Sequence, residues 1–206
     1  MTIPNQLSTL RMVLTPFFVF TFFVQNIYIN YVSFSIFLIA SLTDYYDGYI
    51  ARRYNSISEW GRFLDPLADK ILISTAFVVF AISHYVHMWM VTVIIVRDVI
   101  ITLLRIYALH KGKPLVTSNF ARAKTVSQIT IIYLIFIYIL INKTLLYSDK
   151  EWMWFNKLNG MNLLDNLMLF VTLLTVLSAL TYLFENRGHL KNMVIDFCRV
   201  FISLKL

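Results

Sequence analysis

Five aspartates, Asp44, Asp47, Asp65, Asp69 and Asp98, lie inside or at the ends of strongly apolar stretches of this chain. A charge near the bilayer centre costs about 3 kcal/mol even on the lenient insertion scale, so such residues face a bundle interior or a wet cavity and default to function. Asp44 and Asp47 stand three residues apart, and Asp65 and Asp69 four, so on helices each pair shares one face. The segment 53–62 between them is short. Helices carrying the two pairs are therefore antiparallel neighbours, and the second pair returns to the depth of the first. Four carboxylates meeting at one point repel, and hard divalent cations that take oxygen ligands, Mg²⁺ or Mn²⁺, relieve this. Gly48 and Gly61 leave room for a ligand to approach the helices, and Arg52 stands about one turn beyond. Metal ions plus an arginine suit a diphosphate and phosphoryl-transfer chemistry. The plainer reading is two helix-end acid pairs offsetting nearby arginines.

The other charges within apolar segments are mostly cations. Arg97 and Arg105 are eight residues apart, a little over two turns, on one face of a fourth helix, and Lys124 opens a fifth after Arg122. As immediate neighbours, Arg97 and Asp98 are expected to turn away from each other and to find partners on different helices. Surplus cations beside a metal site imply an acceptor that carries its own anion, most simply a phosphate. Structural ion pairs, or ordinary cytoplasmic-side basic residues at Arg122 and Lys124, are the alternatives.

The elements that must position these groups follow from composition. The 206 residues are 59% hydrophobic and only 14% charged, against about 25% charged in an ordinary soluble domain, with a mean hydropathy of +0.70. That excludes a disordered chain and argues against a soluble globule. Apolar runs predict six membrane-spanning helices at about 7–24, 31–50, 63–85, 88–109, 123–141 and 164–184. The fold class is thus all-α, a six-transmembrane-helix bundle forming a single domain over 1–206. A polar, Trp-containing connection is expected over 142–163.

Basic residues set the orientation. One side carries Arg52, Arg53, Arg62, Lys111, Lys113, Arg122, Arg187, Lys191, Arg199 and Lys205, the other only Lys143, Lys150 and Lys157. Both termini should be cytoplasmic, and 186–206 reads as an amphipathic helix on that leaflet. The basic excess thus belongs to membrane topology, and no nucleic-acid partner is expected. The lone Cys198 excludes a disulfide framework. His84 and His87 form an HxxH pair at an outer loop, where interfacial polar residues are expected rather than a zinc site, because no third ligand is near in sequence.

The stretches Asp44-Tyr45-Tyr46-Asp47-Gly48-Tyr49-Ile50-Ala51-Arg52 and Gly61-Arg62-Phe63-Leu64-Asp65-Pro66-Leu67-Ala68-Asp69 fit the pattern DxxDGxxAR…GxxxDxxxD. In this the chain resembles the CDP-alcohol phosphatidyltransferases, integral membrane enzymes of six helices with cytoplasmic termini. Such enzymes move a phosphatidyl group from CDP-diacylglycerol to an alcohol and release CMP. The resemblance implies that Asp44, Asp47 and Asp65 hold the metal, two ions of Mg²⁺ or Mn²⁺, with Asp69 a ligand, the general base, or both. It implies that Asp47, Gly48, Ala51, Arg52 and Gly61 hold the nucleotide and diphosphate, and it suggests a homodimer.

The flanking sequences resemble those of bacterial phosphatidylglycerophosphate synthases. Ile3 to Arg11 is similar to their NxLTxxR opening, with Ser8 for threonine, Arg97-Asp98 to Leu104-Arg105 is similar to RExx(V/I)xxLR, and Lys124 to Gln128 to KTxxQ. Asp98 departs from the usual glutamate, and Ala121-Arg122 from Gly-Lys. The implied acceptor is glycerol 3-phosphate, its phosphate held by Arg97, Arg105, Lys124 and Arg122, in a bacterial inner membrane with the site facing the cytoplasm. An Arg-Asp pair is also similar to the cardiolipin synthases of the same superfamily, whose acceptor is phosphatidylglycerol. A cation or proton transporter is the rival of a different class. It would need acids spread along a path through the bilayer, whereas four of the five cluster at one end.

Overall fold

The computed structural model describes residues 3–54, 59–110, 119–148 and 162–187, and the helix expected over 186–206 lies almost wholly outside them. The described residues form α1 (Ile3–Phe23), α2 (Ile27–Tyr54), α3 (Glu59–Ile82), α4 (Met88–His110), α5 (Asn119–Tyr147) and α6 (Leu163–Glu185). There are no strands among them.

Local chemistry sets several helix ends. The side-chain Oδ1 of Asn26 accepts the Tyr28 amide at 2.9 Å, an N-cap that starts α2 four residues earlier than its apolar run predicts. At the end of α3, His84 takes a left-handed φ of 60°. Its amide donates to Ala81 O and the next amide, of Tyr85, donates to Phe80 O, both at 3.0 Å. This is the Schellman arrangement, with histidine where glycine is usual. The connection expected over 142–163 begins later than predicted, because α5 runs on to Tyr147. The polar residues there are satisfied without leaving the helix. Lys143 Nζ donates to Asn30 Oδ1 at 2.8 Å and lies 5.5 Å from the Phe22 ring centre, while Thr144 and Tyr31 share a 2.8 Å hydroxyl contact.

The helix α1 packs along both α2 and α3, α4 packs on α3 and α6, and α5 packs on α2, α3 and α6. Aromatic rings fill the centre. Phe136 of α5 has Phe18, Phe22, Phe34, Phe37 and Phe80 around it, at centroid distances from 5.2 to 6.2 Å, within the range of favourable edge and tilted contacts. The outside is apolar too, with Phe20, Leu103, Val126 and Phe184 more than half exposed, a surface suited to lipid rather than water. The segments 123–147 and 163–185 are long and apolar enough to cross a membrane.

Candidate active site

The backbone carries Asp44, Asp47, Gly48, Ala51 and Arg52 in the last half of α2, and Gly61, Asp65 and Asp69 in the first half of α3. Their side chains lie outside what the structure describes, as does that of Arg122. One turn before Asp44, the Ser41 hydroxyl is hydrogen-bonded to Tyr133, which fastens this part of α2 to α5. Ser8 and Arg11 are both buried on α1, which packs along the two motif helices.

Immediately beneath the motif lies a buried ionic cage. Asp98 of α4 is its centre. Lys124 of α5 pairs with its Oδ1, Arg97 NH1 donates to the same oxygen at 3.1 Å, and Lys70 Nζ of α3 stands 3.6 Å from Oδ2. Gln128 Nε2 approaches Oδ2 at 3.5 Å. Arg97 NH2 also donates to Ser178 Oγ of α6 at 2.8 Å. One carboxylate thereby joins α3, α4 and α5, and its arginine extends the connection to α6. Arg105 lies farther along α4 beside the buried Tyr182 of α6, close enough to act on its hydroxyl.

One sequence reading changes here. Arg97 and Asp98 do face each other, because a guanidinium on a long, flexible side chain can bend back to an adjacent carboxylate. Arg97 and Lys124 both engage Asp98, the ion pairing that the sequence left open beside a phosphate-binding role. Lys70 was not singled out at all. The signal was present in its position, one residue past Asp69 at the mouth of an apolar run of α3. At the start of α4, His87 Nε2 stands 3.5 Å from Asp165 Oδ2, a partner remote in sequence. Among the described residues no group of three metal-ligating side chains forms.

Among the described residues, three cations against one carboxylate give the cage a formal net charge of +2. Burial of unmatched charge is costly. A helical membrane protein with paired acids on two helix ends, and a cationic cage below them, has the makings of a phosphoryl-transfer site. The family model described as CDP-alcohol phosphatidyltransferase matches residues 1–156, and the chain belongs to that family. It is similar to the CDP-diacylglycerol–glycerol-3-phosphate 3-phosphatidyltransferase of Salmonella typhimurium (strain LT2), 39% identical over 132 residues, 61% of this chain and 71% of the relative. The protein of the same name from Escherichia coli (strain K12) is 36% identical with the same coverage of each chain.

Proposed function

We propose that this enzyme transfers the phosphatidyl group of CDP-diacylglycerol to glycerol 3-phosphate, giving phosphatidylglycerophosphate and CMP. Family membership and the relatives' names support the reaction class. The observation that carries the acceptor half is the +2 cage around Asp98. A phosphate monoester carries about −1.5 to −2 near pH 7, which matches the cage's charge. Phosphatidylglycerol, the cardiolipin-synthase acceptor, carries a single phosphodiester charge and leaves the cage half neutralised.

The residues divide the work as follows. Asp44, Asp47, Asp65 and Asp69 offer hard oxygen donors at helical spacing, a set that suits two Mg²⁺ or Mn²⁺ ions. When bound, such ions would neutralise charge on the diphosphate and on the departing CMP. Asp47, Gly48, Ala51, Arg52 and Gly61 hold the nucleotide end. The cations Arg97, Lys124, Arg105 and Arg122 draw the acceptor's phosphate down into the site and away from the acids. The acceptor's 1-hydroxyl is then aimed upward at Asp69, which takes its proton as the oxygen bonds to the β-phosphorus. The bond from that phosphorus to the CMP phosphate breaks, and CMP leaves.

Six spans, read from the apolar runs, with both termini cytoplasmic by the distribution of basic residues, and a bacterial inner membrane, as the resemblance implies, belong to this reading. Helices α1 to α4 fit that bundle although polar motifs interrupt their apolar runs. The site then faces the cytoplasm, where glycerol 3-phosphate and CMP are soluble. A homodimer is part of the same reading. The test is a panel of acceptors offered to purified protein with labelled CDP-diacylglycerol and Mg²⁺: glycerol 3-phosphate, phosphatidylglycerol, inositol phosphate, inositol and serine. Phosphatidylglycerophosphate is the expected product. CMP release with phosphatidylglycerol but not with glycerol 3-phosphate would make it a cardiolipin synthase.

A further inference from the structure

The cations of the cage are not equivalent. Lys124 and Arg97 are 2% and 11% exposed and both bond Asp98 Oδ1, and Arg97 is anchored again by Ser178. Lys70 differs in each respect. It is 27% exposed and faces the other oxygen at 3.6 Å, too long for a hydrogen bond. An ammonium has three donors, and no described residue accepts one from Lys70 within hydrogen-bond distance. It is also the cage cation nearest in sequence to the aspartate motif. Position 70 follows Asp69 directly and stands roughly 100° around the helix from it, so the helix that carries the proposed base also carries this cation.

We infer that Lys70 is the residue that meets the acceptor's anion directly and sets the preference for a dianion, while Lys124, Asp98 and Arg97 hold it in place. This rests on the acceptor reading above and deepens it. The fixed triad contributes one net positive charge, and Lys70 supplies the second. With it, a phosphate monoester is fully matched. Without it, the triad's single charge matches a phosphodiester or other monoanion, and a monoester is left with one charge unmatched. Because the Asp98 contact is long, Lys70 can turn its ammonium hydrogens to an entering phosphate without breaking a bond.

The test compares glycerol 3-phosphate with its methyl ester, the same molecule with one charge fewer, as substrate and competitor of the full-length enzyme in CDP-diacylglycerol mixed micelles. Lys70→Gln should raise the KM for glycerol 3-phosphate at least tenfold and leave that for CDP-diacylglycerol within about twofold. It should also cut the preference for the dianion over the ester about tenfold, a loss of about 1.4 kcal/mol. Lys70→Arg should restore most of that preference. A second readout needs no variant: in the unaltered enzyme, glycerol 3-phosphate should shield Lys70 from an amine-acylating reagent, followed by mass spectrometry of the Lys70 peptide. An unchanged ratio in Lys70→Gln, or no shielding, overturns the inference while turnover of glycerol 3-phosphate upholds the acceptor reading. Inert glycerol 3-phosphate in the unaltered enzyme overturns that reading and the role of Lys70 with it.

Discussion

Lys124 of α5 and Asp98 of α4 form an ion pair in which both side chains are almost fully buried. A buried pair of this kind is a poor source of net stability, since each charge gives up its solvation. Removing one partner is another matter, because the remaining charge is left uncompensated.

Asp98→Ala should therefore be among the most damaging single changes in the chain. It leaves Lys70, Arg97 and Lys124 facing one another with no anion between them. The expected loss is about 3–5 kcal/mol, seen as a lowered thermal midpoint in detergent. Asp98→Glu, which keeps the charge and is the residue common at this place in similar sequences, should stay within about 1.5 kcal/mol of the original. An alanine variant as stable as the parent would mean that the cage is not assembled in the empty protein.

The sequence made some of this arrangement legible and hid the rest. The helices were readable from apolar runs, and so was the placing of the aspartate positions on two of them. The start of α2 was misplaced because Asn26 acts through its side chain, which hydropathy does not register. The end of α5 was misplaced because Lys143 and Thr144 look like loop residues until Asn30, Phe22 and Tyr31 are packed against them. The cage was half visible. Arg97, Asp98 and Lys124 stood out as charges in apolar surroundings, but a scan along one chain cannot say which of them neutralise each other. Lys70 was overshadowed by Asp69 beside it.

The hydroxyl of Ser178 offers a gentler probe of the same network. It accepts one guanidinium hydrogen bond, at 2.8 Å, and Arg97 keeps its bond to Asp98 without it. Interhelical hydrogen bonds in membrane proteins average about 0.6 kcal/mol. Ser178→Ala should accordingly raise the KM for glycerol 3-phosphate by only about threefold, with kcat nearly unchanged. A loss of a hundredfold or more in steady-state kinetics would show that α6 positions the cage far more tightly than one hydrogen bond allows.

The motif aspartates call for the opposite outcome. Asp65→Asn keeps the size of the side chain and removes its charge, so the helix should persist while divalent-ion binding weakens sharply. Turnover should vanish at any Mg²⁺ concentration that saturates the unaltered enzyme. Titration of Mn²⁺ followed by calorimetry or spin resonance checks the binding directly. Near-normal activity in a chelator would sink the metal assignment.

Arg105 separates the acceptor from the donor. It lies on α4 near Tyr182 of α6, outside the set of ion pairs that Asp98 holds, so among the described residues its removal strips no buried carboxylate of its partner. Its charge still adds to the field that draws a soluble dianion past the motif acids. Charge-assisted hydrogen bonds of the kind it can give a phosphate contribute about 1.5–3 kcal/mol each. Arg105→Ala should raise the KM for glycerol 3-phosphate about ten- to a hundredfold, each tenfold being about 1.4 kcal/mol. The KM for CDP-diacylglycerol should move much less, because in the proposed arrangement that substrate meets Arg52 and the aspartate motif instead. Steady-state kinetics with each substrate varied in turn gives both numbers from one preparation. Equal rises in the two constants would place Arg105 in the framework of α4 and α6 rather than in the acceptor's path.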